Sequence, residues 1–308
     1  MSIQEVAGLP PSFANLTIAR WLEDVERLTL TASDGVEFNV YHAGTPGKPA
    51  ILLINPVGVS VLLLSPLMRY LSEDYFVVSW ETRGLPSINA GREDLSLTVD
   101  DHVNDARMVL AHFRIEQADI VAFCSGTSIA LPLLEQRTTR ASKAVLISPS
   151  VLIDGDVKMT NYQRTVIPIW CEVMSKGKDY CAIISNFMRA AQPKAGDVDA
   201  EIDYVNRLPF ANGQSTYKYA ALHTHLNETR HGRVFGELPV PVLLVHAHDD
   251  DLIHVDVSRF IEGRLQRSNF HVLDKGGHFA ICKNEELHRA IKGYLMDPAS
   301  TVNVGTLP

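Results

Sequence analysis

The chain has 308 residues, 46% hydrophobic content and a formal net charge of −8 at pH 7. Such a length can bury one sizeable core, while the acidic balance argues against a nucleic-acid binder, which needs a basic stripe to neutralise phosphates. The N-terminal run MSIQEVAGLPPSF has no charged segment ahead of an apolar one, and no apolar stretch reaches membrane-spanning length, so a cytoplasmic protein without a membrane partner is expected. The four cysteines, Cys124, Cys171, Cys181 and Cys282, show no C-x-x-C spacing; reduced thiols are expected rather than a zinc ribbon or a redox pair.

In chain order, a helix over Leu16 to Val25 anchored by Trp21 precedes an α/β pattern. Leu28 to Ala32 and Val36 to His42, separated by Ser33-Asp34-Gly35, read as a hairpin. Ala50 to Asn55 and Phe76 to Trp80 read as buried strands. Thr98 to Phe113 reads as an amphipathic helix, with Thr98 and Asp101 in capping-box spacing. Ile120 to Phe123 is the next strand, followed by a helix through Leu134 and the strand Ala144 to Ser148. The alternation predicts a mostly parallel central sheet flanked by helices.

The rhythm breaks after Ser150. Residues 151–235 have almost no strand pattern and read as short helices forming a lid inserted in the core, near neutral with 10 Lys and Arg against 9 Asp and Glu. Trp170, Phe187, Met188 and Tyr204 are expected to pack helices rather than to line a ligand box. The core resumes with Val240 to His246, a helix from Val255 to Leu265, the strand Asn269 to Leu273 and a helix from Glu285 to Leu295. The division is therefore core over 1–150 and 236–297, lid over 151–235, and a tail over 298–308.

The stretch Asp119 to Leu131 turns from a strand pattern into a helix pattern at Cys124. In the G-x-S-x-G nucleophile elbow, the middle side chain stands exposed on a strained turn and its neighbours two residues away must be small. Ala122 and Gly126 supply that smallness around Cys124. Gly126 is only one residue after Ser125, so Ser125 does not fit the nucleophile register. A cysteine here needs a base, since a free thiol is only a few per cent ionised near neutral pH. His278 follows the last strand on the Gly276-Gly277 turn and is the candidate. The run His246 to Asp251 ends the preceding strand and supplies an acid to orient the imidazole. Asp250 fits best, with Asp249 and Asp251 as alternatives. The backbone amides of Ser125 and of Val57, in the loop Asn55 to Ser60, are the expected oxyanion donors. Histidines 246, 248 and 254 beside these acids make only a weak metal signal; no metal or cofactor is assigned.

With nucleophile, acid and base in this order, the chain resembles the α/β-hydrolase superfamily from Val25 to Leu295. It departs at Asn55-Pro56, where the family commonly has His-Gly, and at Ser79 to Pro86, where it commonly has Asp-x-Arg-Gly-x-Gly. Trp80-Glu81-Thr82-Arg83-Gly84-Leu85-Pro86 together with Phe123-Cys124-Ser125-Gly126 resembles the cysteine-dependent aminoacyltransferases of the coronamic acid and syringomycin pathways. That resemblance implies transfer of an aminoacyl group between carrier-protein phosphopantetheine arms in nonribosomal peptide assembly. Dienelactone hydrolases also place cysteine at the elbow, so hydrolysis of a thioester, ester or lactone by the same triad is the second reading. A third is a ligand-binding homologue without turnover, whose Cys124 would resist a small alkylating agent. Lys176, Lys178 and Arg189 are candidate positives for docking an acidic carrier or ordinary solvated charges.

Overall fold

The computed structural model describes residues 24–85, 92–136, 140–151, 157–190, 200–229 and 238–297. Most of the expected helix over Leu16 to Val25, with Trp21, and the whole of the tail lie outside them. Eight strands form one sheet in the order β1-β2-β4-β3-β5-β6-β7-β8. β1 (Glu26–Thr31) and β2 (Glu37–Ala43) are the expected hairpin, and β2 pairs antiparallel with β4 (Phe76–Trp80). From there β3 (Ala50–Ile54), β5 (Ala118–Phe123), β6 (Ala144–Ile147), β7 (Val242–Ala247) and β8 (Ser268–Leu273) run parallel.

Parallel strands covered on both faces read as continuous apolar runs. β3 is such a strand: Leu52 and Ile54 face one core with Ile120 and Ala122, while Ile51 and Leu53 face the other with Val121 and Phe123. Full burial of each such Leu or Ile stabilises the fold by about 1.5–3 kcal/mol. Helix α1 (Ser65–Ser72) closes one face through Leu67, Met68 and Leu71. It was not anticipated, because Pro66 in a short apolar run masks the helical period; proline is tolerated in the first turn, where it sits. Helix α2 (Val99–His112) has the expected capping box, with Thr98 accepting from the Asp101 amide and Asp101 from the Thr98 amide. Helix α3 (Thr127–Glu135) follows β5.

Between β6 and β7 come α4 (Asn161–Lys176), α5 (Lys178–Ala190), α6 (Ala200–Arg207) and α7 (Gly213–Glu228). They share a small core of Val166, Trp170, Val173, Cys181, Ile184, Phe210 and Ala220. Trp170 and Met188 pack against this core as expected but, contrary to the expectation, also line a cavity, while Phe187 is 63% exposed. The remaining helices are α8 (Asp256–Glu262), α9 (Ala280–Lys283) and α10 (Glu285–Met296). α8 is shorter than expected: its C-cap is Gly263, ahead of the Leu265 at which the apolar pattern ends.

The junction of β5 and α3 explains why its residues must be small. Ala122 pairs with Ile54 of β3, and a Cβ built on Gly126 would lie 2.6 Å from the Asn55 carbonyl oxygen and 2.8 Å from that of Ile54. Backbone oxygens cannot step aside as a flexible side chain can. Only glycine lets α3 leave the sheet this close to β3.

Candidate active site

The sheet's carboxyl edge collects the three candidate side chains from three strand ends. Cys124 leaves β5 with φ of 50°, a left-handed conformation that costs a non-glycine residue roughly 1–3 kcal/mol. The strain is held by its surroundings: the Ser150 amide donates to the Cys124 carbonyl at 3.1 Å, and Gly126 is wedged against β3. Cys124 is partly exposed and lines a cavity of about 340 Å³ between the sheet edge and the helices that follow β6.

His278 is buried in the loop after β8, its ring packed on Phe123 at 4.9 Å and against Phe279 edge-on at 5.1 Å. Its Nδ1 meets Asp250 Oδ2 at 2.8 Å, and Cys124 hydrogen-bonds the same ring. Since Nδ1 is committed to the carboxylate, Nε2 serves the sulfur. Of the three consecutive acids, Asp250 is therefore the one joined to the imidazole. Asp249 has a different task, accepting the Gly276 and Gly277 amides at 3.2 and 2.8 Å and so shaping the loop that carries His278.

Sequence reasoning missed the role of His246, which it weighed only as a metal ligand. This fully buried ring sits at the end of β7, with Nδ1 2.8 Å from Ser258 Oγ and Nε2 2.9 Å from the Ile253 carbonyl. A carbonyl only accepts, so Nε2 carries the proton, which also faces Asp250 Oδ2 at 3.2 Å. The amides of Leu252 and Ile253 donate to Asp250 Oδ1 at 2.9 and 2.8 Å. Asp250 is thus gripped on both oxygens. An (i, i+4) His and Asp spacing was visible in the sequence, but on a strand and turn it carries no face rule. His248 and His254 join neither ring of the site: the His248 amide donates to the Leu273 carbonyl, and His254 Nδ1 accepts from the Asp256 amide.

The electrostatics follow from this packing. Burial opposes the charge on His278, but the Asp250 carboxylate and the Cys124 sulfur outweigh it and push the imidazole up to about 10. Burial also opposes charge on Asp250, yet the His278 cation and the hydrogen bonds from His246 and the Ile253 amide hold its carboxyl well below the usual range. A raised imidazole stabilises the fold fully below about pH 6.5 and loses that contribution as pH rises through about 10. A depressed carboxyl contributes above its ordinary value of 3.8 and loses that contribution on further acidification. Thermal unfolding followed from pH 3 to about 10.5 is therefore expected to show losses at both ends. In His278→Gln the difference from wild type should vanish progressively between neutrality and pH 10; a constant difference would mean that His278 holds no extra proton.

The two expected oxyanion donors, Ser125 and Val57, stand differently in the structure. Ser125 opens the turn into α3, where the first amides of a helix have no intrahelical partner. The Val57 amide, expected to face the reacting carbonyl, instead donates to Ser125 Oγ at 2.9 Å. The loop is drawn there by other contacts: Val59 N–H to the Pro56 carbonyl at 3.1 Å, and Gly58 N–H to Thr82 Oγ1 at 2.8 Å. Glu81, beside Thr82, accepts from Ser60 Oγ at 3.3 Å and from Asn39 Nδ2 at 2.9 Å. Arg83 forks onto Asp105 with two bonds of 2.7 Å. The motif Trp80 to Leu85 thus clamps the Asn55 to Ser60 loop beside the nucleophile, a role that spacing alone did not reveal.

The three candidate docking positives are engaged locally: Lys176 with Glu172, Lys178 with Glu93 at 2.6 Å, and Arg189 with Asn186 at 2.5 Å. Among the described residues, no helix is long and apolar enough to cross a membrane, and no cluster of three or more His, Cys, Asp or Glu is arranged to hold a metal ion.

A family model described as the alpha/beta hydrolase family matches residues 51–286. RutD of Caulobacter segnis, a protein named for carbamate hydrolysis, is 25% identical over 278 residues, covering 87% of this chain and 99% of that one. Among solved structures, an enol-lactonase from Burkholderia xenovorans superposes with a TM-score of 0.68 at 13% identity, over 88% of this chain and all of that one. A hydrolase from Pseudomonas aeruginosa gives 0.66 at 16% identity, over 88% and 97%. At these identities the two structures speak for the fold alone.

Proposed function

Because the chain belongs to the alpha/beta hydrolase family, we propose that it is a cysteine-dependent acyl transferase, moving an acyl or aminoacyl group between thiols through a thioester on Cys124. The observation that carries this reading is a sulfur on the strained elbow, hydrogen-bonded to an imidazole whose other nitrogen is fixed by a buried carboxylate. In the first half-reaction Cys124 Sγ bonds to the donor carbonyl carbon and its proton rests on His278. The tetrahedral adduct then expels the donor thiolate, which takes that proton and leaves. A second thiol gives its proton to His278, attacks the acyl carbon, and releases Cys124. One thioester is exchanged for another, so little free energy changes and the shuttle runs both ways. Phosphopantetheine arms of carrier proteins are the thiols this reading favours, in the cytoplasm, and the helices of residues 151–235 act as the lid that keeps water from the intermediate.

The oxyanion is stabilised in this reading by the Ser125 amide and by the Ser125 hydroxyl, which Val57 holds in place. That hydroxyl accepts from Val57, and none of the described residues takes its own proton. Ser125→Ala is expected to slow acyl loading of Cys124 by about 10²-fold, the typical effect of losing one oxyanion donor. Unchanged or faster loading would return the role to the freed Val57 amide.

Hydrolysis is the second reading, favoured by the hydrolase names of the relatives. Intact-protein mass spectrometry after exposure to acyl-thioester donors decides between them. Transfer predicts an adduct on Cys124 that persists in buffer and is discharged at least about tenfold faster by an added thiol acceptor. Rapid release of free acid by enzyme and donor alone would establish the hydrolase instead.

A further inference from the structure

His223 on α7 lines the cavity yet takes no part in the chemistry described above. Its ring lies 4.3 Å from that of Tyr219, one helical turn earlier, and 6.3 Å from that of Trp170. Tyr219, His223 and Cys124 line the same cavity, so α7 presents both rings to the space that holds the nucleophile. The Nε2 atom of His223 is buried and has no hydrogen-bond partner among the described residues. Buried polar atoms in folded proteins almost always have one, and ligand cavities place a few such groups among apolar walls to fix orientation.

We propose that His223 is the recognition residue of an acyl subsite that selects acyl groups bearing a hydroxyl on the chain beyond the carbonyl. This rests on the acyl-enzyme reading and adds the class of acyl group. Burial lowers the imidazole to about 4, so the ring facing the ligand is neutral. A hydroxyl both donates and accepts, and so pairs with Nε2 in either tautomer of the neutral ring. A carboxylate only accepts, so it pairs with Nε2 in just one tautomer of the neutral ring. An ammonium suits only one tautomer, and the Asp203 carboxylate on the cavity wall is already bound to Arg207 at 2.7 Å. The aromatic faces of Tyr219 and Trp170 cover the carbon chain between the two ends.

The test uses Cys124→Ala protein, so that binding is read without covalent chemistry, and follows tryptophan fluorescence, to which Trp170 contributes from the cavity wall. The probes are primary amides of four to six carbons, each as the plain chain, the ω-hydroxy and the ω-amino form. At one or more chain lengths the hydroxy amide is expected to bind about tenfold or more tightly than the plain one. Adding His223→Phe should erase that preference to within about twofold while leaving the melting temperature equal or higher, since an unpaired buried nitrogen is removed. The same preference in His223→Phe, no preference in the parent, or tighter binding of the amino form overturns the proposal. A failed acyl-enzyme reading shows elsewhere, as the absence of any adduct on wild-type Cys124.

Discussion

Cys124→Ala is expected to lose acyl loading entirely and to cut turnover by about 10⁴-fold or more, as removal of a nucleophile does, while Cys124→Ser is expected to load but no longer to transfer. The serine hydroxyl fits the same strained corner, φ 50° with Gly126 behind it, and His278 can still take its proton. The difference lies in the collapse of the second tetrahedral adduct. When a thiol attacks a thioester, two sulfurs of similar basicity compete to leave, and the acyl group moves in either direction. When a thiol attacks an oxygen ester, the thiolate is much the weaker base and leaves first, returning the acyl group to the enzyme. Water is then the acceptor that completes turnover. Loss of transfer by about 10²-fold with retained or increased acid release supports sulfur as the element that selects the acceptor. Unchanged transfer in the serine variant, or adduct formation in the alanine variant, would remove Cys124 from that role.

What the sequence disclosed was the part of the site written in short range. Ala122, Cys124 and Gly126 sit within five residues, and the steric reason for their spacing is a backbone contact that recurs wherever a helix leaves a central strand at that angle. The Gly276-Gly277-His278 turn and the acid run at the end of β7 were legible for the same reason: each is a local change of pattern after a strand. The mostly parallel sheet followed from the alternation of apolar runs with helices, whereas the order of its strands was not read from it. The contacts that remained hidden join distant segments. The Val57 amide reaches Ser125 across 68 residues, and Thr82 and Glu81 reach back to Gly58 and Ser60; His246 and Asp250 are only four residues apart, but they meet through the turn after β7 rather than on a helical face. No periodicity encodes such pairs. Phe187 failed for a different cause, since aromatic residues on a short amphipathic helix signal burial and this one is left on the surface.

Asp250→Asn carries the second large effect, and its size follows from which atoms face the carboxylate. Oδ1 accepts two amides, from Leu252 and Ile253, so an asparagine would keep its carbonyl oxygen there and turn its amino group toward Oδ2's partners. Those partners are His278 Nδ1 at 2.8 Å and the protonated Nε2 of His246 at 3.2 Å. Nitrogen–hydrogen would then point at nitrogen–hydrogen. His278 escapes the clash by moving its proton to Nε2, which makes Nδ1 an acceptor and leaves no free lone pair toward Cys124. The base is in the wrong tautomer for taking the thiol proton, and a loss of about 10⁴-fold in acyl loading is expected, the scale seen when a triad acid becomes its amide. His246 keeps its bond to the Ile253 carbonyl, so the fold is expected to survive. The imidazole of His278, pushed up to about 10 chiefly by Asp250 against its burial, should titrate far lower in the variant, which a histidine-resolved NMR titration reads directly. Asp251→Asn is the matched control, expected to stay within about threefold because that residue does not bond the ring. Loading by Asp250→Asn within about tenfold of wild type, with His278 still titrating near 10, would show that the carboxylate neither orients nor charges the imidazole.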